Sequence, residues 1–266
     1  LAVITLTTDF GWRDNFVGVM KGVILGLNPA VALVDLSHEL PPHDPAQAAF
    51  SLYTAYRFFP KGTIHLAVVD PGVGSERSII VVQASGQLFI APDNGLLSYI
   101  IDQAPIFKAY RLENPALALG RVSRTFHGRD LMAPAAAHLS LGFPLEKVGP
   151  EIKSPVRLPP LYPEIQADQI TGRVVYVDRF GNLITNIPSP LVADWPAAEI
   201  VINIGPETII GLSSSYAAAR PGELLALTGS SGFIEIARYL ARAERPPDLT
   251  VGTPVVINFV KPLSPR

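Results

Sequence analysis

Four prolines fall within residues 153–163, a stretch with almost no hydrophobic periodicity. Proline fixes φ and lacks an amide proton, so such a stretch interrupts helix and strand alike and reads as a linker. It divides the 266-residue chain into two parts of different texture. Before it, short β-branched runs alternate with segments of helical period. Strands are expected over 2–7, 32–36, 63–69, 78–83, 88–91 and 107–111, and helices over 15–27, 45–58, 95–102 and 130–141. Asn28-Pro29 stops the first helix, and Asp44-Pro45 opens the second with an N-cap and a proline at its first position. This alternation predicts an α/β domain with a mainly parallel sheet over residues 1–155. Beyond the prolines, short strands over 173–177, 199–204, 208–212, 223–227 and 254–259 are separated by Gly, Pro, Asn and Ser. Only 233–243 has helical length, so a smaller, mostly β, barrel-like domain is expected over 165–266.

Hydrophobic residues make up 48% of the chain and charged residues 17%, a balance that supports a sizeable core and excludes disorder. The net charge of −2, with no block of Lys or Arg, argues against a nucleic-acid partner, because phosphate binding needs concentrated positive charge. Absence of cysteine removes disulfides, thiolate catalysis and Cys-ligated zinc, and suits a reducing cytoplasm. The first residues, LAVITLTTDFGW, lack a basic region before their apolar run and read as a strand rather than a signal peptide. The longest apolar segment, 22–34, is broken by Asn28-Pro29 and is too short to span a bilayer. A cytoplasmic protein with a small-molecule partner and no membrane partner is the expectation.

Five polar clusters interrupt this apolar background, and four lie next to expected strand ends, where ligands collect in open α/β sheets. Asp9 follows a strand directly; it could accept hydrogen bonds from ligand hydroxyls, or form an Asx turn or a helix cap near residue 15. Asp70 and Arg77 stand at the two ends of a loop built on Pro71, Gly72 and Gly74. They can pair across its mouth if the flanking strands return side by side, or merely close a hairpin as a structural ion pair. His127, just before a helix, could be a base, a water orienter, a metal ligand or a satisfied polar group. Asp130 complements the dipole of that helix. Phe180 and Asn182 could stack on and hydrogen-bond a planar heterocycle, or form a glycine turn with Gly181. The loop Gly229-Ser230-Ser231-Gly232 precedes the segment of helical length and could take a carboxylate or phosphate, or be an ordinary turn.

No GxxxxGK[ST] phosphate loop, HExxH or GxSxG motif occurs, and Gly72-x-Gly74 lacks the third glycine of a dinucleotide fingerprint. Asp9, His38, His43 and Asp44 form the best candidate metal set, although neighbours such as His43 and Asp44 cannot face one way on a helix.

Taken in order, TTDFG (7–11), VDPGVGSER (69–77), APDNG (91–95), FHGRD (126–130), DRFGNLITN (178–186) and GSSGFIEIA (229–237) resemble the S-adenosyl-L-methionine hydrolases. That family is also called S-adenosyl-L-methionine hydroxide adenosyltransferase, and is related to the S-adenosyl-L-methionine-dependent fluorinase and chlorinase. The resemblance runs from residue 4 to about 260. It implies an N-terminal α/β domain, a C-terminal barrel-like domain, and a homotrimer with active sites at subunit interfaces, working without metal or other cofactor. It also implies roles: Asp70, Arg77 and His127 as the catalytic set, and Asp9 on the ribose hydroxyls. Asn182 would contact adenine, with Phe180 and Tyr216 packed near it, and Asp178, Ser230 and Glu235 would serve the methionine end. The fluorinase has serine where this chain has Gly128, and both halogenases have tyrosine at Asp70. A carboxylate there repels a halide and accepts water, which together with Arg77 and His127 favours hydrolysis over a chlorinase; the intact catalytic set argues against the other rival, a non-catalytic adenosine or S-adenosyl-L-methionine binding protein.

Overall fold

The computed structural model describes residues 1–245 and 248–260. The chain forms two compact units, the first covering Leu1–Pro159 and the second beginning at Pro160.

The first unit contains β1 (Val3–Thr8), α1 (Phe16–Leu27), β2 (Ala32–Ser37), α2 (Pro45–Ala55), β3 (Ile64–Val68), β4 (Ile79–Ala84) and β5 (Gln87–Pro92). α3 (Ser98–Gln103), β6 (Phe107–Arg111), α4 (Ala133–Ser140) and β7 (Glu151–Ile152) follow. Its sheet has the order β2-β1-β3-β5-β4-β6-β7. β2, β1, β3 and β5 pair in parallel, and antiparallel pairing through β4 returns β6 to their direction, so only β4 and β7 run the other way. β4 and β5 are joined by Ser85-Gly86, both at positive φ (53° and 78°), the backbone of a tight hairpin that matches strand twist.

Ile4, Leu6, Leu66 and Val68 face Met20 and Ile24 of α1 and the alanines of α4, forming one core. The small side chains of α4 let it lie close to α1 and the sheet; Asn28 Nδ2 donates to Ser140 Oγ at 2.9 Å, joining the two helix ends. As expected, Asp44 caps α2, accepting from Ala46 N–H and Gln47 N–H at 3.0 Å each. α4 is preceded by a π-helical turn, Gly128–Met132, inside the segment expected to be regular helix. Such turns displace one residue from the helical register and often sit beside functional groups.

On the opposite face of the sheet His65 is fully buried, its Nδ1 2.8 Å from Thr5 Oγ1 and its ring stacked on Phe89 at 4.9 Å. Burial pushes its pKa down to about 4, with the neighbouring Gln87 acting in the other direction. The unfolded chain binds this proton near pH 6.5, so stability is whole above that value and falls as the pH drops toward 4, by about 3 kcal/mol. Urea melts at pH 7 and pH 4.5 should show the loss, and His65→Gln should flatten it.

The second unit is antiparallel: β8 (Glu164–Ile165), β9 (Gln169–Val177), β10 (Leu183–Pro188), β11 (Ile200–Ile204), β12 (Glu207–Ile210), β13 (Leu224–Thr228), β14 (Phe233–Arg238) and β15 (Pro254–Phe259). The order is β12-β11-β15-β9-β10-β14-β13, with β8 beside β9. Ser213 N–H, just past β12, donates to Ala226 of β13 at 2.8 Å, which draws the two ends together into a nearly closed barrel. Ile170, Val174, Ile202, Ile234, Ile236 and Ile257 fill its interior.

One expected element is corrected. Residues 233–243 do not form a helix; they begin with strand β14. Ile234 and Ile236 point into the barrel while Phe233, Glu235 and Ala237 occupy the other face, and both faces are buried. A run buried on both faces carries no clear period of two, and length alone suggests a helix. β10 also emerges, from residues that read only as part of a polar cluster.

Candidate functional site

In the first unit, a cavity of about 340 Å³ opens where β1 and β3 end and where the chain enters the turn before α4. Asp9, Asp70 and His127 line it, with Phe10, Phe16 and Phe126 as an aromatic wall whose rings lie 5.2–5.9 Å apart. Arg77 stands behind Asp70. Its Nε donates to Asp70 Oδ1 at 2.8 Å, and its Nη2 donates both to Asp70 Oδ2 and to His127 Nδ1, the latter at 2.9 Å. Both members of the ion pair are largely buried, with side chains 12% and 6% exposed.

β3 and β4 do not lie side by side, as the loop reading assumed; β5 separates them. The loop therefore crosses the end of β5, and the hairpin reading of the Asp70–Arg77 pair falls. Asn94, at the end of β5, donates to the Val69 carbonyl at 2.9 Å and ties the loop to the strand it crosses. Gly74 sits at φ +79°, where an added Cβ would lie 2.4 Å from the Arg124 carbonyl oxygen. Gly74→Ala should therefore force residues 70–77 away from 124–127 and lower turnover at least tenfold, beyond the ~1–2 kcal/mol backbone cost. Gly62→Ala is the control: its φ is +83° but a Cβ there meets nothing within 4 Å, so stability should fall without loss of turnover.

A guanidinium can only donate, so His127 Nδ1 is an acceptor and the proton of the neutral ring sits on Nε2. Burial and then Arg77 push the pKa of His127 down, against Asp70 and Asp130. Asp130 is fully buried, paired with Arg129 through Nε at 2.5 Å and accepting from Ser123 N–H at 2.7 Å. Burial acts to raise its pKa, but these bonds outweigh burial and lower it.

Asp9 makes neither an Asx turn nor a helix cap. Its Oδ2 accepts from His43 N–H at 2.9 Å, holding His43 at φ +64°. The candidate metal set disperses: His38 is engaged by Thr8 Oγ1 and Asp35 at 2.8 and 2.9 Å, and Asp44 caps α2. Among the described residues, no three His, Cys, Asp or Glu side chains form a group that could hold a metal ion.

The second unit has its own pocket, of about 660 Å³, lined by Asp178, Phe180, Asn182, Tyr216, Ser230 and Glu235. Asp178 organises one wall: Oδ1 accepts from Phe180 N–H and Asn182 N–H, and Oδ2 from Asn182 Nδ2, each at 2.9 Å. Phe180 is left 75% exposed, its ring free to cover a flat ligand. On the opposite wall Tyr216 Oη donates to Glu235 Oε1 at 2.5 Å. Burial, reinforced by Asp178, raises the pKa of Glu235 despite that bond. Burial and Glu235 raise that of Tyr216. Ser230 lies in the β13–β14 hairpin turn, closed by Gly229 N–H to the Phe233 carbonyl at 2.9 Å, and so does not stand at a helix N-terminus.

Arg238, Tyr239, Leu240 and Arg242 also line this pocket, and no sequence motif marks them. Arg242 donates to the Arg179 carbonyl at 2.9 Å, and the Gly181 carbonyl accepts from Ala243 and Glu244 N–H groups, so the segment after β14 clamps the Phe180 turn. The aromatics of the first cavity were legible only as members of motifs, Phe10 in TTDFG and Phe126 in FHGRD.

No helix among the described residues is long and apolar enough to cross a membrane. Known proteins resemble the chain along nearly all its length. It is 38% identical to an (R)-S-adenosyl-L-methionine hydrolase of Thermus thermophilus over 93% of this chain and 96% of that protein. It is 29% identical to a fluorinase of Nocardia brasiliensis over 96% of each. A solved structure of an uncharacterized conserved protein from Thermotoga maritima shares 36% identity and superposes with a TM-score of 0.89 over 96% of this chain and 99% of that one. The N-terminal domain of the SAM hydroxide adenosyltransferase family matches residues 4–149, and its C-terminal domain matches 172–256. Matched in both domains and in their order, the chain belongs to the SAM hydroxide adenosyltransferase family.

Proposed function

We propose that this chain is an enzyme that hydrolyses S-adenosyl-L-methionine to adenosine and L-methionine. The observation that carries the reading is the contact of Arg77 with both Asp70 and His127 beside Asp9, at the carboxyl end of β3, in a chain of this family. The sulfonium of the substrate makes methionine a neutral thioether leaving group, so expulsion requires no acid and no cofactor. Water attacks C5′, the C5′–S bond breaks with its electron pair passing to sulfur, and the water proton passes to a base.

Asp70, held by Arg77, receives that proton. His127 is poorly placed to do so: Nδ1 already accepts from Arg77, Nε2 carries hydrogen, and burial disfavours its charged form. His127 instead positions and polarises the water. Asp9 takes the ribose hydroxyls. In the second domain, residues 165–266, Asn182, Phe180 and Tyr216 serve the adenine, and Asp178, Ser230 and Glu235 serve the methionine. The working assembly is a cytoplasmic homotrimer with active sites at subunit interfaces; light scattering on the purified protein tests the trimer.

The reaction is tested by incubating the protein with S-adenosyl-L-methionine and chloride in H₂¹⁸O. Labelled adenosine with methionine supports the reading; a chlorinated nucleoside, or tight binding with no turnover, overturns it.

A further inference from the structure

Asp9 leaves the end of β1 at a point where a chain can turn in several ways, and a set of buried bonds selects one. Thr8 is fully buried, with its hydroxyl oxygen 2.8 Å from His38 Nδ1. Phe10 N–H donates into that same oxygen at 3.2 Å. The other ring nitrogen, His38 Nε2, lies 2.9 Å from Asp35 Oδ1. A carboxylate only accepts, so in the neutral ring Nε2 carries the hydrogen and Nδ1 accepts the Thr8 hydroxyl proton. The His38 carbonyl also accepts Gly11 N–H at 2.7 Å. One residue thus holds the chain on both sides of Asp9, through its ring before it and its backbone after it. Asp35, at the exposed end, is anchored by Lys21 Nζ at 2.6 Å, and the Trp12 ring lies edge-on to the buried His38 ring at 4.6 Å.

A buried histidine with both nitrogens engaged can be simply a satisfied core group. Here the bonds converge on Thr8, Phe10 and Gly11, the residues that flank Asp9, and Asp9 itself is tied forward to His43 N–H. We propose that Asp35, His38 and Thr8 form a positioning relay that sets the Asp9 carboxylate for the substrate's ribose hydroxyls. The inference rests on the ribose role assigned to Asp9 in the proposed function.

The test is a kinetic cycle with Thr8→Val, which removes the hydroxyl, and Thr8→Ser, which keeps it. Each is assayed on S-adenosyl-L-methionine and on its 2′-deoxyribose analogue, alone and combined with Asp9→Asn, with thermal melts to check folding. Thr8→Val is expected to raise KM about tenfold on the natural substrate, to change kcat less than about threefold, and to lose preference for the 2′-hydroxyl. Thr8→Ser should restore all three, and Thr8→Val should add nothing to Asp9→Asn. An equal rise in KM for both substrates, or a full additional effect on Asp9→Asn, would overturn the relay. If Thr8→Val does not fold, Asp35→Ala, which removes the acceptor of His38 Nε2–H, makes the same comparison from the exposed end of the relay and should show the same KM-selective change. Wild-type protein that binds adenosine without turning over S-adenosyl-L-methionine overturns the proposed reaction alone, and the cycle is then read in adenosine affinity by calorimetry. Wild-type protein that does neither overturns both.

Discussion

Asp70→Asn should lower kcat by about 10²–10⁴-fold while leaving KM within a few-fold, the range over which a positioned base contributes to a reaction. Asparagine keeps the size and planarity of the side chain and can accept one bond from Arg77, so cavity and loop should survive. The charge on which a water proton would settle is lost. His127→Asn is the informative companion. Its amide oxygen can accept from Arg77 Nη2 in place of Nδ1, but nothing replaces Nε2–H, so a water-positioning histidine predicts a smaller loss than Asp70→Asn. Single-turnover rates at saturating substrate measure both. If His127→Asn is the more damaging, the proton goes to His127 and the assignment of the base is wrong.

Asp178→Ala should act on binding instead, raising KM about 10²-fold with a smaller change in kcat. The carboxylate accepts three hydrogen bonds from the turn that presents Phe180 and Asn182, each at 2.9 Å. Bonds to a charged group are worth ~1.5–3 kcal/mol apiece, and two unmatched losses would account for an effect of this size. Alanine leaves the Phe180 N–H and both Asn182 donors without their acceptor, so the stacking ring and the amide lose their set positions together. Calorimetry with adenosine gives the test: affinity within twofold of wild type would show that the turn holds its shape without Asp178.

Much of the first unit follows from local chemistry. Asp44-Pro45 specified the start of α2 because an N-cap and a first-position proline act within one helical turn. The ends of β1 and β3 were legible because apolar runs stop abruptly at Asp9 and Asp70. The second unit was harder to read. Phe233–Ala237 is buried on both faces, and only pairing with β10 and β13 made Phe233–Arg238 a strand. Arg238 and Arg242 reach the pocket wall only because the chain continues as a strand and loop there, and no motif marked them as it marked Glu235.

The residue types and their order determined which groups could do chemistry: an ionisable pair at the two ends of a glycine-rich loop, an isolated histidine before a helix, an aspartate at a strand end. Their meeting was decided elsewhere. Asp70 and Arg77 pair across a loop that steps over β5, and His127 joins them from a position fifty residues further on. Such distances are set by sheet order and by the packing of α4 against α1, which depend on the whole core at once. Local propensity reaches a few residues in either direction. The hydrogen that Arg77 assigns to Nε2 of His127 exists only once those segments have been brought into contact.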